Sequence, residues 1–375
     1  MSAVLNWASK SVGWAAMVAI SIFSACSSTF EYEFDDITLD SDVAESALVQ
    51  REISKIEGFL RNRIAAGVVP GAAVSIVRGD EILYMRGLNQ TPHRQYPVLS
   101  FTKTFTALAI LKLAEDKRLN LDQAAGEILG TRLEATKFAG KKITVRHLLT
   151  HTSGIPDSGQ IKRLGLYPPL YVPELSYAAG DRFQFSNPGY RLLGAIVEAV
   201  TDDTYQAYVI ENLVRPLEMR QTRFSIRSNG ASGMVSSVAD LARYVRLYTN
   251  RGEYSGERLI SEENYFGLFS TPTQKPACDY SEHRGVAWRV QTYENEVLLM
   301  NHAALGLGIG GLIQIYPKHK IGFVFLSNPP TYNDGRYLNF YKELRSRLND
   351  FAVQVGEIDF QPATQLPCAL HTVPW

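Results

Sequence analysis

The sequence predicts an α+β fold: one antiparallel sheet formed from N- and C-terminal segments, flanked by helices, with a mainly helical region inserted between them. Three observations lead there. Strand-like runs occupy Ala73–Val77 and Glu81–Met85 and return only late, from Val286 onward. Between them, from about residue 120 to 275, the chain carries helical periods and loops. A helix apolar on nearly every side begins at Ser100, where the early strands end, so sheet and insertion meet at its first turn. With 375 residues, 45% hydrophobic and 20% charged, the chain can build a sizeable core. Its net charge of +0 gives no reason to expect nucleic acid as a partner.

Taken in order, the chain is expected to open with a leader. Lys10 precedes an uncharged run, Ser11–Ala25, of the length of a signal-peptide core rather than of a membrane span. The run ends in Phe23-Ser24-Ala25-Cys26, which resembles a bacterial lipobox. Residues 1–25 are therefore expected to be a lipoprotein signal peptide, with cleavage before Cys26 and lipidation of its thiol. A plain secretory signal with an incidental cysteine is the other reading. Ser27 resembles the pattern of outer-membrane rather than inner-membrane retention. Ser27–Gln50 holds seven acidic residues and no basic one, as expected of a tether between the anchor and the fold.

The folded domain is expected over residues 51–352, its sheet part at 51–99 and 276–352 and its helical part at 100–275, followed by a tail at 353–375. A helical period covers Gln50–Ala66, with Ile53, Ile56, Phe59, Leu60 and Ile64 on one side. The two early strands form a hairpin about Arg78-Gly79-Asp80. Helical periods recur at Tyr190–Val200, Tyr205–Leu213, Val238–Thr249 and Glu262–Leu268. Late strands are read at Val286–Val290, Glu296–Met300, Gly311–Tyr316 and Ile321–Leu326, and a last amphipathic helix at Tyr337–Phe351. Cys278 and Cys368 either pair in an oxidising compartment, tying the tail to the body, or remain two isolated thiols.

The chemistry is read first from Ser100-Phe101-Thr102-Lys103. Three positions apart at the head of a helix, serine and lysine share a face. Burial and the positive helix N-terminus both disfavour an ammonium, so a neutral Lys103 can take the Ser100 proton and make it a nucleophile. His147 and His151 have a spacing used by metal ligands, but no carboxylate stands at metalloprotease spacing, and no metal is expected. Gly306-Leu307-Gly308-Ile309-Gly310-Gly311 lacks the Lys-Ser/Thr of a phosphate loop and leads into a strand, so no nucleotide or other cofactor is expected. It is read as flexible chain.

Several stretches resemble the serine β-lactamase and penicillin-binding-protein superfamily, its class C-related branch of carboxypeptidases and esterases above all. They are Tyr96–Phe105 around the Ser-x-x-Lys, His147–Pro156, Phe185–Tyr190 with Leu192–Glu198, Leu217–Met219 and Gly233–Arg243, all in the family's order from about Ile53 to Phe351. The resemblance implies a β-lactamase/transpeptidase-like fold and catalytic roles for Ser100, Lys103, Asn187 and His302. It also implies an oxyanion hole from the backbone N–H groups of Ser100 and Leu305. Two positions depart from the pattern. Phe185 stands where the second motif has a tyrosine, which removes a proton-carrying hydroxyl. Ala304 replaces the glycine of the third motif, His302-Ala303-Ala304, and is expected to tighten the cleft. Tyr171 or Tyr177, around the stiff Tyr167–Pro173 loop, is a candidate source of the missing hydroxyl.

The expected function is a periplasm-facing, lipid-anchored serine hydrolase working through an acyl-enzyme on Ser100. Its expected substrates are peptidoglycan-derived D-amino-acid peptides, small esters or amides, and weakly β-lactams. The alternative is a cell-wall- or protein-binding lipoprotein that keeps the fold and has lost its catalysis.

Overall fold

The computed structural model describes residues 46–130, 133, 138, 140–157, 174–269, 280–293, 296–306, 308–329 and 334–356, all within the unit Leu39–Trp375. The expected signal peptide, Cys26, the expected acidic tether up to residue 45, the Tyr167–Pro173 loop, Leu307, Cys278 and Cys368 lie outside them.

An amphipathic helix, α1 (Ala47–Ala65), starts at Ser46, whose side chain accepts from the Val49 N–H, and buries Ile53, Ile56, Phe59 and Leu60. It leads into the hairpin β1 (Ala72–Arg78) and β2 (Glu81–Leu88). A short strand, β3 (Tyr96–Pro97), and a 3₁₀ turn at Leu99–Phe101 precede α2 (Thr102–Glu115). Ser100 therefore lies in the 3₁₀ turn just ahead of the helix. Every residue of α2 from Thr102 to Leu111 is buried, as the all-round apolar pattern requires.

The inserted region contains α3 (Ala125–Ile128), α4 (Val145–Leu149), α5 (Asn187–Thr201) and α6 (Tyr205–Val209), which continues as a π turn through Val214. It also holds strands that the sequence reading missed. β4 (Arg223–Asn229) and β5 (Ser232–Ser236) form a hairpin that pairs with β3 in the order β3-β5-β4. Then follow α7 (Val238–Thr249), the small hairpin β6 (Glu253–Tyr254) with β7 (Glu257–Arg258), and α8 (Glu262–Gly267).

The late strands are β8 (Tyr280–Arg284), β9 (Arg289–Tyr293), β10 (Glu296–Gly306), β11 (Ile309–Tyr316) and β12 (Ile321–Ser327), with α9 (Gly335–Gly356) last. The strand expected at Val286–Val290 starts instead at Arg289. Ala287 just before it has φ +62°, which a continuous strand does not accommodate. The glycine-rich stretch expected to be flexible is split: Ile309–Gly311 is buried strand, and Gly306 ends β10.

The main sheet has the order β2-β1-β12-β11-β10-β9-β8, antiparallel throughout. β1 pairs with β12 from Ala72–Ser327 to Arg78–Ile321, so strands from the two ends of the domain lie side by side in the sheet. Both faces are covered. Val74, Ile76, Phe323 and Phe325 pack with α1 and α9, where Phe59 stacks on Phe340 at 5.6 Å. Ala73, Val77, Val324 and Leu326 face the larger core of α2, α5 and α7. Period-2 alternation thus divides the strand residues between two cores. α7 fits against β12 because Gly322 has no side chain: a Cβ there would sit 2.2 Å from Val245 Cγ1.

Candidate active site

The site is built where the 3₁₀ turn enters α2. Leu99, the residue before Ser100, has φ +44°, a left-handed conformation that costs a branched side chain free energy and recurs where a reactive group must be turned outward. Thr102 Oγ donates to the Leu99 carbonyl at 2.7 Å and accepts from Met234 N at 3.2 Å, so the turn is fastened to β5. Ser100 Oγ and Lys103 Nζ are 3.0 Å apart. Lys103 is buried, and Nζ also donates to the Ala231 carbonyl at 2.9 Å.

Burial is the main force lowering the lysine to about 7; the nearby Asp157 carboxylate opposes it and Arg191 reinforces it. Near neutrality a large share of Lys103 is therefore the amine, whose lone pair can accept the Ser100 proton. The Phe185 ring centre lies 5.3 Å from Nζ and that of Tyr190 5.9 Å away. The Tyr190 hydroxyl does not serve the lysine, since it donates to the Leu149 carbonyl at 2.7 Å. Tyr177 is held under the Arg182 guanidinium, 3.5 Å from its ring centre. Tyr171 is outside the described residues.

The chain before α5 is held by the turn after α4. His151, at φ +56°, accepts from the Ser186 N–H at Nδ1 (3.1 Å) and from the Gln184 N–H at its carbonyl (2.7 Å). It lies against the Phe185 ring at 4.9 Å. Burial and the charges of Lys103 and Arg284 push its pKa far down, so it is a neutral structural support. His147 is likewise occupied, its Nδ1 accepting from Thr144 N in the cap of α4. Asp157 accepts from the Asn187 N–H at 2.8 Å. Among the described residues the Asn187 side chain makes no hydrogen bond, and the second acceptor for Lys103 Nζ besides Ser100 is the Ala231 carbonyl.

β10 supplies the opposite wall. β9 pairs with it only as far as Asn301, and β10 continues to Gly306, leaving residues 302–306 without a β9 partner beside the Leu99–Phe101 turn. A Cβ on Gly306 would lie 2.6 Å from Leu99 Cδ1, which shows how closely strand and turn approach. Leu305 pairs with Gly310 on the other edge. His302 is half-buried, edge-on to Phe101 at 5.7 Å and to Trp288 at 6.1 Å. Burial, with Lys103 close by, lowers its pKa to about 3, so it is neutral rather than positive. Its Nδ1 lies 2.9 Å from the Ala303 carbonyl; as the donor there, it leaves Nε2 an acceptor. Ala304 shares the His302 face of the strand, but its methyl is only 1% exposed and packs into the core instead of projecting into open space.

Three contributors escaped the sequence reading: the Ala231 carbonyl, the Asp157 carboxylate and the Arg284 guanidinium, which lies 5.6 Å from the Phe183 ring centre. Asp157 directly follows the His147–Pro156 stretch and was the one with a sequence signal.

A family model described as Beta-lactamase matches residues 56–345. The chain is 25% identical over 320 residues to Protein flp of Staphylococcus aureus (strain MW2), an alignment covering 73% of this chain and 62% of that protein's length. The octameric penicillin-binding protein homologue from Pyrococcus abyssi superposes with a TM-score of 0.63 at 26% identity, covering 78% of this chain and 77% of the other. A D-stereospecific amidohydrolase from Streptomyces sp. gives a TM-score of 0.61 at 21% identity, over 76% and 97% of the two chains.

Proposed function

We propose that this chain, which belongs to the beta-lactamase family, is a serine hydrolase that forms an acyl-enzyme on Ser100. The observation that carries the reading is the 3.0 Å approach of Ser100 Oγ to a buried Lys103 lowered to about 7. The amine accepts the hydroxyl proton as Oγ bonds to the substrate carbonyl carbon. The oxyanion so formed meets the backbone N–H groups of Ser100 and Leu305. The Lys103 ammonium then gives its proton to the leaving group, which departs as the carbonyl re-forms. Water attacks the acyl-enzyme with Lys103 again as base, and the proton returns to Ser100. Phe185 has no hydroxyl to share this work, so both transfers fall to Lys103.

A neutral His302 and the Arg284 cation flank the site, where a polar or anionic part of the substrate can be held. Small esters or amides and D-amino-acid peptides of cell-wall origin fit this reading, with β-lactams acylating the serine and leaving slowly. The Ser11–Cys26 segment supports a lipid-anchored protein facing the periplasm. One observation favours the non-catalytic reading: the Phe185 ring is 39% exposed, an apolar contact at the entrance to the site.

Intact mass after incubation with a fluorophosphonate, and separately with a penicillin, tests the proposal. Adducts that disappear in Ser100→Ala are expected, with the penicillin adduct persisting. A folded protein inert to both reagents would leave the binding reading standing.

A further inference from the structure

Lys103 is held from behind by main chain, and the main chain is itself held. Ala231 lies in the two-residue turn between β4 and β5, where Asn229 pairs with Ser232 and Asn229 Oδ1 accepts from Ala231 N at 3.0 Å. On one side the turn presses on α5. A Cβ on Gly230 would fall 2.1 Å from the Tyr190 carbonyl and 2.7 Å from Gly194 N, so only glycine fits.

On the other side stands Thr106, one helical turn beyond Lys103 on α2 and fully buried. Its Oγ1 lies 2.7 Å from the Gly230 carbonyl, 2.7 Å from the Tyr205 hydroxyl and 3.1 Å from the Thr102 carbonyl. A hydroxyl has one hydrogen to give. The shorter carbonyl contact is to Gly230, and Tyr205, itself buried, is the group that can donate to Thr106. The chain of donation therefore runs from Tyr205 through Thr106 to Gly230.

We propose that Thr106 is a positioning residue for the Ser100–Lys103 pair: backed by Tyr205, its hydroxyl pins the Gly230–Ala231 turn so that the Ala231 carbonyl stays aimed at Lys103 Nζ. This rests on the serine-hydrolase reading for its kinetic consequence, but the link to Lys103 is a property of the fold. Thr106→Val keeps the shape and replaces the hydroxyl by a methyl that the Gly230 carbonyl cannot approach as closely. The turn then shifts and Lys103 loses one of its two hydrogen bonds. Thr106→Ser keeps the hydroxyl and loses the methyl.

The test measures fluorophosphonate acylation rates of wild type, Thr106→Val, Thr106→Ser and Tyr205→Phe, with the titration of Lys103 followed by NMR of its ε-carbon. Displacing a catalytic group by a fraction of an ångström to 1 Å costs up to about 10²-fold. Thr106→Val is expected to approach that loss, Tyr205→Phe to lose less, and Thr106→Ser to keep most of the rate. The Lys103 midpoint is expected to move in Thr106→Val and to stay in Thr106→Ser. A role in packing alone predicts the reverse ranking, with Val tolerated and Ser impaired, and that ranking would overturn the proposal. So would an identical Lys103 midpoint in all four proteins. If wild type is not acylated while the Thr106→Val midpoint still moves, the hydrolase reading falls and the positioning link stands.

Discussion

Lys103 faces the ring of Phe185 at 5.3 Å, and Phe185 is itself exposed to solvent. A phenyl face attracts a cation weakly and carries no proton. The lysine thus gains shelter from water without a partner for proton transfer.

Phe185→Tyr is expected to supply the partner. A hydroxyl at the ring's edge gives a second route for protons between Ser100, Lys103 and the leaving group, and such groups typically contribute about 10²–10⁴-fold. The penicillin acyl-enzyme should shorten in lifetime by at least tenfold on this scale. An unchanged lifetime would mean that the tyrosine hydroxyl does not reach the water that releases the acyl group.

The acylation rate should rise with pH through a midpoint near 7, because only the amine form of Lys103 accepts the serine proton and burial brings that form into the neutral range. The same shift opposes folding. The unfolded chain binds a proton on this lysine up to its ordinary 10.5, so the stability contributed by this group rises between pH 7 and 10.5. Lys103→Met should abolish acylation and raise the melting temperature at pH 7. The upper bound on the gain is about 5 kcal/mol, the equivalent of moving a lysine from 10.5 to 7. A pH-independent rate between 5 and 9 would remove Lys103 as the base.

Asp157→Asn separates charge from shape. The amide oxygen can still accept from the Asn187 N–H, but the negative charge that raises Lys103 is gone. The acid limb of the acylation profile is expected to move below 7. Movement upward, or none, would show that the carboxylate does not act on the lysine.

Gly230→Ala probes the turn behind Lys103. With a methyl forced to 2.1 Å from the Tyr190 carbonyl, the turn must move or α5 must give way, and overpacking of this kind costs about 1–3 kcal/mol or more. Denaturant titration should show the loss, and acylation should slow as the Ala231 carbonyl is displaced. Full stability in this variant would mean that the turn and α5 are less tightly joined than the spacing indicates.

Much of this is legible in the residues. Ser100 and Lys103 stand out because their side chains carry the chemistry, and α7 is read to its last residue because Ser237 caps a clear amphipathic period. The β3-β5-β4 sheet escapes because Arg223-Phe224-Ser225-Ile226-Arg227-Ser228-Asn229 is polar and its pairing with β5 shifts register between Phe224 and Asn229. Alternation signals a strand only where one face is buried in step with its partner. The Ala231 carbonyl escapes for a different reason: every residue has one, and only the path of the chain says where it points. The charge state of His302 is hidden in the same way, since it depends on burial and on Lys103, far away in sequence.

Translation makes the two ends of this chain at different times. β1 has β12 as its partner in the sheet, Ala72 with Ser327, so an early strand must wait for one made ~250 residues later. Ser100 and Lys103 emerge in the first third of synthesis, but the wall that completes their cleft, β10, arrives with the late strands. A chain truncated before β10 therefore carries Ser100 and Lys103 without that wall. The proposed reactivity of the Ser100–Lys103 pair is in that sense a property of the finished molecule.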